Sequence, residues 1–291
     1  MNRRDFLKQF VAVAAVGTPG CAALLRQDPD ELPLQYAGLV VRQERPGIQI
    51  PTDFIGISLD PSLRRGAAFL NTDHDSLLAL FRQLGPHGIL RLGGNTCDRV
   101  QWYERDPPPG QRFRTPEAVE QVAEFVRSLG WKLMYGLNLG SGTAEAAASE
   151  ASYVTQRAGA DLLAFQIGNE PDLYSRKGTR PAGWGAHHYL KEWDKFAGVL
   201  KQAVPDIPLA GPDAAYQTNW PAAFARSKDR QLKLLTHHYY PLGPPEDPKV
   251  TIEQLLKSHS KLDILLERLG PVSEKAQRPY RLSETNSCYN N

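Results

Sequence analysis

Two stretches of this 291-residue chain set a carboxylate where chemistry could use one: Phe165-Gln-Ile-Gly-Asn-Glu-Pro-Asp172 and Arg281-Leu-Ser-Glu-Thr-Asn-Ser287. Each runs out of an apolar, strand-like segment into a polar turn that carries Glu170 or Glu284. Two carboxylates at the ends of separate strands can break a glycosidic bond. One gives a proton to the leaving oxygen, while the other attacks the sugar carbon or activates water. A single Glu at a strand end is ordinarily a solvated surface group. Glu170 is set apart because Gly168-Asn169 precedes it and Pro171 follows, a turn that ends its strand abruptly.

The elements that would position this pair follow an alternating pattern. Apolar runs at Phe54–Leu59, Gly88–Leu92, Trp131–Leu139, Leu162–Ile167, Pro208–Ala210, Leu232–Tyr240 and Tyr280–Leu282 read as strands. Between them, Ser76–Leu84, Pro116–Leu129, Glu145–Arg157, His187–Ala203 and Ile252–Leu269 have helical spacing. Thr115-Pro116 supplies a cap followed by proline in the first turn, and Gly130 closes the same helix. Such alternation predicts an α/β fold with parallel strands. Polar residues recur at or just past the strand ends: Arg91, Asn95, Asn138, Asn169, Glu170, Asp213, His238, Tyr240 and Glu284. In a β/α barrel all those ends open on one mouth. A doubly wound sheet would carry a Gly-rich turn after its first strand, and Phe54–Asp60 has none. The expected fold is therefore a (β/α)8 TIM barrel in residues 53–291. It is expected to be truncated before its eighth strand, because only seven strands can be counted. The strand-like segments Leu39–Arg42 and Ile48–Ile50, within residues 31–52, have nothing nearby to pack on and read as part of an accessory β domain.

Residues 1–30 read as an address and linker. Arg3-Arg-Asp-Phe-Leu-Lys8 resembles a twin-arginine export signal, and Phe10–Val16 is apolar but too short to span a bilayer. The expected location is periplasmic or extracellular, with Thr18-Pro-Gly-Cys21 as a lipidation candidate. The formal charge is +2, and Arg3, Arg4 and Lys8 against Asp5 account for all of it. No basic field remains to recruit nucleic acid or an anionic membrane, and no integral membrane segment is expected after processing. Past the address, Cys97 and Cys288 stand far apart, which is neither a disulfide framework nor a metal cluster. The histidines lack ligand spacing and no phosphate loop is present, so no metal or cofactor is expected.

Leu90-Arg-Leu-Gly-Gly-Asn95, Phe165–Glu170, His238-Tyr-Tyr240 and Glu284-Thr-Asn-Ser-Cys-Tyr289, in that order, resemble segments of the clan A retaining glycosidases. The closer resemblance is to glycoside hydrolase family 79, the β-glucuronidase and heparanase-like enzymes, and it covers roughly residues 35–291. The family's last barrel strand and its β-sandwich are absent here. The resemblance implies that Glu170 is the acid/base, Glu284 the nucleophile and a carbohydrate the substrate. It implies that Asn169 bonds the sugar 2-hydroxyl and that Tyr289 helps hold the glucuronic acid carboxylate. Arg91 would point into the barrel towards Glu284, and Tyr240 would orient Glu284 from the same inward face as His238, whose role stays open. Asn95 and Asn138 are further polar groups at the mouth. No basic residue is obviously placed to pair a uronate and no basic cleft is evident, so exo action on a terminal β-glucuronide is the expected activity. A retaining enzyme for a neutral sugar, such as a xylosidase or glucosidase, and an inactive sugar-binding fragment are the other readings. The charge on Glu284 is expected to hold a proton on Glu170, since two close carboxyl groups do not both ionise cheaply.

Overall fold

The structure, a computed structural model, describes residues 47, 49–60, 70, 72–110, 112–228, 232–257 and 260–289. The chain divides into two units, Met1–Gln49 and Ile50–Asn291. The twin-arginine segment, Cys21 and the expected strand Leu39–Arg42 lie outside the described residues. Gln49 and Ile50 belong to no regular element.

The second unit begins with β1 (Gly56–Leu59), α1 (Asp75–Leu84), β2 (Ile89–Leu92), the short strands β3 (Gln101–Trp102) and β4 (Phe113–Arg114), α2 (Pro116–Leu129) and β5 (Lys132–Leu137). It continues with α3 (Ala144–Ala158), β6 (Leu162–Ile167), α4 (Ala186–Ala203), β7 (Leu209–Ala214) and α5 (Asn219–Lys228). The last elements are β8 (Leu232–Tyr239), α6 (Ile252–Leu255), α7 (Ser260–Ala276) and β9 (Tyr280–Thr285). Strands β1, β2, β5, β6, β7, β8 and β9 lie side by side in that order, all parallel, while β3 and β4 pair separately. Chain order is kept across the sheet, so no switch point exists and the doubly wound alternative is excluded. The result is a nearly closed barrel of seven strands.

Closure is visible where the sheet's two ends meet. Arg281 of β9 donates from Nη2 to the carbonyl of Asp53, just ahead of β1, at 3.0 Å. The large hydrophobic core lies between the strands and their helices, with Trp131, Phe125, Phe165 and Trp193 fully buried in it. A small cluster of Ile89, Met134, Ala164, Ala210 and Leu234 forms a second layer, one residue from each of five neighbouring strands. Two residues further along, those strands carry Arg91, Gly136, Gln166, Pro212 and Thr236. Side chains on a strand alternate between faces, so this set shares the inward face and lies one layer nearer the mouth. The barrel is apolar at its floor and polar above it. That gradient positions the site.

Helix ends follow the local chemistry. The Thr115 side chain accepts from Ala118 N at 3.5 Å, Pro116 opens α2, and Gly130 ends it in the left-handed region at φ 71°. Two features depart from the sequence pattern. The apolar spacing does not announce α5, whose proline at its third position reads as a breaker although the first turn tolerates it. The single helix expected over 252–269 is two, and α7 runs past Pro271 to Ala276.

A buried ion pair fastens the small β3–β4 pair to the barrel. Arg114 of β4 meets Glu150 of α3 at 2.7 Å, with 6% and 3% of their side chains exposed. The Arg114 guanidinium lies 4.6 Å from the Tyr135 ring centre, and Tyr135 donates to Glu150 at 2.8 Å. Glu150→Ala would strand the arginine without its counter-charge, and the expected loss of stability is about 3–5 kcal/mol. Urea denaturation of the variant checks it; a loss below about 1 kcal/mol would mean that Arg114 finds another acceptor.

Candidate active site

Strand β6 and the turn after it deliver the first carboxylate. Gly168 has φ 84°, and a Cβ there would come 2.6 Å from the Tyr174 hydroxyl, so only glycine fits. Glu170 itself takes a left-handed conformation at φ 49° and its N–H donates to Asp213 O at 3.0 Å. Non-glycine residues adopt that conformation only where their surroundings hold them. Pro171–Leu173 then forms a short 3-10 turn, and the chain winds back beneath the carboxylate. Asp172 accepts from the backbone N–H groups of Ala215, Tyr216 and Gln217 at 2.8, 2.9 and 3.0 Å, which fixes the loop carrying Tyr216.

Strand β9 delivers the second carboxylate. In the β8–β9 register His238 stands opposite Glu284. Reactive oxygens of Glu170 and Glu284 and a ring nitrogen of His238 all lie within 4.8 Å of one another. Arg91 Nη1 donates to Glu284 Oε2 at 2.7 Å, and the Tyr240 hydroxyl donates to Glu284 Oε1. Burial and the neighbouring Glu284 charge push the Tyr240 hydroxyl well above its ordinary value. A cavity of about 510 Å³ opens over the pair, lined in part by Asn95, Arg176, Lys177, Tyr216, Cys288 and Tyr289.

Beneath the pair lies a closed network of charge. Arg91, 3% exposed, reaches Gln166 Oε1 at 2.8 Å, Ser58 Oγ at 2.8 Å, Asn169 Oδ1 at 2.9 Å and Asp213 Oδ2 at 2.5 Å as well as Glu284. Burial alone would lower the Arg91 pKa, but Asp213 and Glu284 outweigh it and raise it further. Gly93 must be glycine because a Cβ would lie 2.5 Å from the Arg91 guanidinium. Asp213 also meets His238 Nε2 at 3.1 Å and accepts from Ser283 Oγ. Burial would raise the Asp213 pKa, but Arg91 and His238 hold it far below the carboxylate range. His238 is fully buried, which would lower its pKa, yet Asp213 and Glu284 push it up to about 10. It is therefore an imidazolium, and its Nδ1 lies 3.1 Å from Glu170 Oε1.

The outer oxygen of Glu170 has a cation of its own. Lys177 Nζ donates to Oε2 at 2.6 Å and to Asn95 Oδ1 at 2.5 Å. Burial would raise the Glu170 pKa, but His238 and Lys177 lower it to about 2. This corrects the expectation that Glu284 keeps a proton on Glu170: in the ligand-free protein two cations outweigh one neighbouring carboxylate. Lys177 is a basic residue of the site that the sequence reading did not single out. Lys177 is seven positions past Glu170, about two helical turns, and the 3-10 winding after Pro171 returns it to the same side. No strand-end pattern carries that signal.

The other expected residues divide. Asn169 accepts from Arg91 and from Gly94 N, while its Nδ2 is buried without a protein partner. Asn95 and Tyr289 line the cavity, and Tyr289 lies edge-on to both Tyr240 and Tyr216 at 6.2 and 6.1 Å. Asn138 does not. Its amide nitrogen donates to Val100 O, just before β3, and to Ser141 Oγ, and its oxygen accepts from Ser141 N and Gly142 N. His238, Asp213, Lys177 and Tyr216 are the participants that sequence reasoning left without a role. Cys97 and Cys288 are both free thiols, and burial raises that of Cys97. Glu170, His238 and Glu284 are spaced to hold a metal ion. A protonated imidazole has no lone pair to give, however, and Arg91 and Lys177 already sit on the carboxylate oxygens.

No family model matches the chain. Over 278 residues it is 31% identical to a β-glucuronidase of Aspergillus niger, an alignment that covers 82% of this chain and 49% of that protein. A β-glucuronidase of Neurospora crassa is 27% identical over 265 residues, 76% of this chain and 47% of that protein. The chain thus spans about half the length of the curated relatives it matches. Among solved structures, a 4-O-α-L-rhamnosyl-β-D-glucuronidase from Fusarium oxysporum superposes with a TM-score of 0.66 at 16% identity, over 82% of this chain and 56% of that one. A family 51 arabinofuranosidase from Xanthomonas axonopodis pv. citri does so at 0.58 and 16% identity, over 85% and 59%. The fold is that of the glycoside hydrolase barrels.

The His238–Asp213 contact predicts a pH dependence with a definite sign. A histidine whose pKa rises from about 6.5 unfolded to about 10 folded adds stability that is complete below the first value. That stability is lost as pH rises through the second. Urea midpoints at pH 6, 8 and 10 should fall progressively in the wild type, and His238→Asn should flatten that fall. An unchanged slope in the variant would assign the dependence to other groups.

Proposed function

We propose that this chain carries the catalytic barrel of a retaining β-glucuronidase of the family 79 type, acting on a terminal β-linked glucuronic acid. The observation that carries the reading is the Glu170–Glu284 pair, with oxygens within 4.8 Å across the mouth of a 510 Å³ cavity. Retaining enzymes hold their two carboxyl groups about 5–5.5 Å apart, whereas inverting enzymes need about 6.5–9.5 Å to admit a water. The β-glucuronidase names of the relatives, aligned over most of this chain, support the sugar.

In this reading Glu284 attacks the anomeric carbon as the bond to the leaving oxygen breaks, and Glu170 passes its proton to that oxygen. Arg91 and Tyr240 fix the two Glu284 oxygens, so the attacking lone pair is held in one orientation. Esterification removes the Glu284 charge. A water then attacks the same carbon, Glu170 takes its proton, and the C–O electron pair returns to Glu284. The family resemblance assigns Asn169 to the sugar 2-hydroxyl, a bond that strengthens in the transition state, and its Nδ2 has no protein partner. Tyr289 contacts the sugar from the cavity wall. The Arg3-Arg4 signal resemblance supports export to the periplasm or beyond.

The assignment is tested by product stereochemistry and by two variants. NMR of hydrolysis by the purified protein should detect the β-anomer of glucuronic acid first; an initial α-anomer would rule out retention, and hydrolysis of xylosides but not glucuronides would favour a neutral sugar. Glu170→Ala should slow hydrolysis of poor leaving groups by about 10²–10⁴-fold, with azide restoring turnover of activated aryl glucuronides. A mechanism-based fluorosugar should label Glu284, and a label on Glu170 would reverse the two roles.

A further inference from the structure

The side-chain amide of Asn169 is held one way round. Its Oδ1 accepts from Arg91 Nη2 at 2.9 Å and from Gly94 N at 3.0 Å, which leaves Nδ2 without a protein partner. The main chain of Asn169 has a separate anchor. Asp98, buried in the short 3-10 turn Cys97–Arg99 after β2, accepts from Asn169 N at Oδ2 over 3.3 Å and from Gly140 N at Oδ1 over 3.2 Å. One carboxylate thereby ties together the loops after β2, β5 and β6. The fit is close. A Cβ at Gly140 would lie 2.5 Å from Asp98 Cβ, and the Gly140 carbonyl is itself taken by Arg180 Nη1 at 2.9 Å. Burial raises the Asp98 pKa, and Tyr174, the two backbone N–H groups and Lys177 oppose it, which leaves it at about 6. Arg180, Tyr189 and the Cys97 thiol are the other titratable groups that interact with it.

We propose that Asp98 is a positioning residue for the reaction: its ionised carboxylate aims Asn169 at the substrate, and its protonation releases that aim. This inference rests on the glucuronidase reading and adds to it a residue that does not line the cavity. An ionised carboxylate is acceptor-only and can serve both N–H groups at once. A proton on either oxygen turns a donor towards a donor, and one of the two bonds is lost. Asn169 then keeps its side-chain contacts to Arg91 and Gly94 but loses the fixed main chain from which they are made. Asp98 acts through Asn169; Asn169 is the group that would touch the sugar.

The test begins with the wild-type protein. In ¹⁵N–¹H NMR the backbone N–H signals of Asn169 and Gly140 should titrate together with a midpoint of about pH 6, and both inflections should vanish in Asp98→Asn. On an aryl β-glucuronide, kcat/KM should show an acid limb at the same pH, where neither Glu170, at about 2, nor His238, at about 10, titrates. Asp98→Asn should lower kcat by about 10- to 100-fold, the scale of a misplaced contact, with KM little changed. With the 2-deoxy glucuronide, which gives the Asn169 amide no hydroxyl to bond, variant and wild type should turn over equally. Folding raises the Asp98 pKa from about 3.9, so the stability tied to this group is present below that value and lost as pH rises through about 6. Removing the charge should therefore leave the urea midpoint at pH 8 unchanged or higher, and a midpoint that falls with the activity would make Asp98 a fold anchor only. Amide signals with no inflection between pH 4 and 8, or an equal loss on the parent and 2-deoxy substrates, would overturn the proposal while leaving the glucuronidase reading intact. If no glucuronide is hydrolysed but the paired titration is present and vanishes in Asp98→Asn, the glucuronidase reading falls and the hold of Asp98 on Asn169 stands.

Discussion

A single buried guanidinium holds this barrel's upper layer together. Arg91 extends from β2 into the barrel and reaches Ser58 on β1, Gln166 on β6, Asn169 past β6, Asp213 on β7 and Glu284 on β9. Strands from both ends of the sheet thus share one charged group. An arginine can do this because its planar fork offers five N–H donors in fixed directions. Burying it would be costly without compensation, and Asp213 at 2.5 Å and Glu284 at 2.7 Å supply that compensation. Everything above it inherits its geometry.

The charges in this layer are balanced locally. Arg91, His238 and Lys177 face Asp213, Glu170 and Glu284 within hydrogen-bond distance. Asp213 is the pivot, because it joins Arg91 to His238 and so keeps a cation against the inner oxygen of Glu170. The outcome is a Glu170 with a strongly lowered pKa in the ligand-free protein. A carboxyl in that state does not deliver protons near neutrality. Any acid role for Glu170 therefore depends on a change in its partners. Lys177 is the partner able to move, with 29% of its side chain exposed against none for His238.

The apolar layer below does quieter work. Ile89, Met134, Ala164, Ala210 and Leu234 form the barrel floor, and the buried charges above them interact more strongly than they would in water. The helices outside bury large aromatic side chains such as Trp131 and Trp193, which fixes the strands that carry the site. Tyr216, Tyr240 and Tyr289 then form an aromatic wall beside the carboxylates, with ring centres 6.1 and 6.2 Å apart. The three lie just past the ends of three different strands, β7, β8 and β9. Asp172, two residues beyond Glu170, secures the loop of Tyr216 through three backbone N–H groups.

The order of the amino acids was enough to specify the strand–helix alternation and the parallel sheet. Both depend on local periodicity, and Leu162–Ile167 and Pro116–Leu129 have the same bounds in pattern and in structure. It also singled out Glu170 and Glu284, because a carboxylate after an apolar run and before a turn is a local signal. Strand alternation likewise gave Arg91 and His238 their inward direction. What it could not carry are contacts between residues far apart in the chain. Arg91 and Glu284 are 193 positions apart and Arg91 and Asp213 are 122, so only closure of the sheet brings them together. Asn138 looked like a mouth residue, but Val100 and its own loop claim its amide, a competition that spacing does not reveal. Lys177 carries no signal in the sequence, and only the folded loop after Pro171 sets it on Glu170. The protonation of the site was likewise decided by tertiary structure alone. A pKa depends on the sum of burial and nearby charge, and both are properties of the folded arrangement.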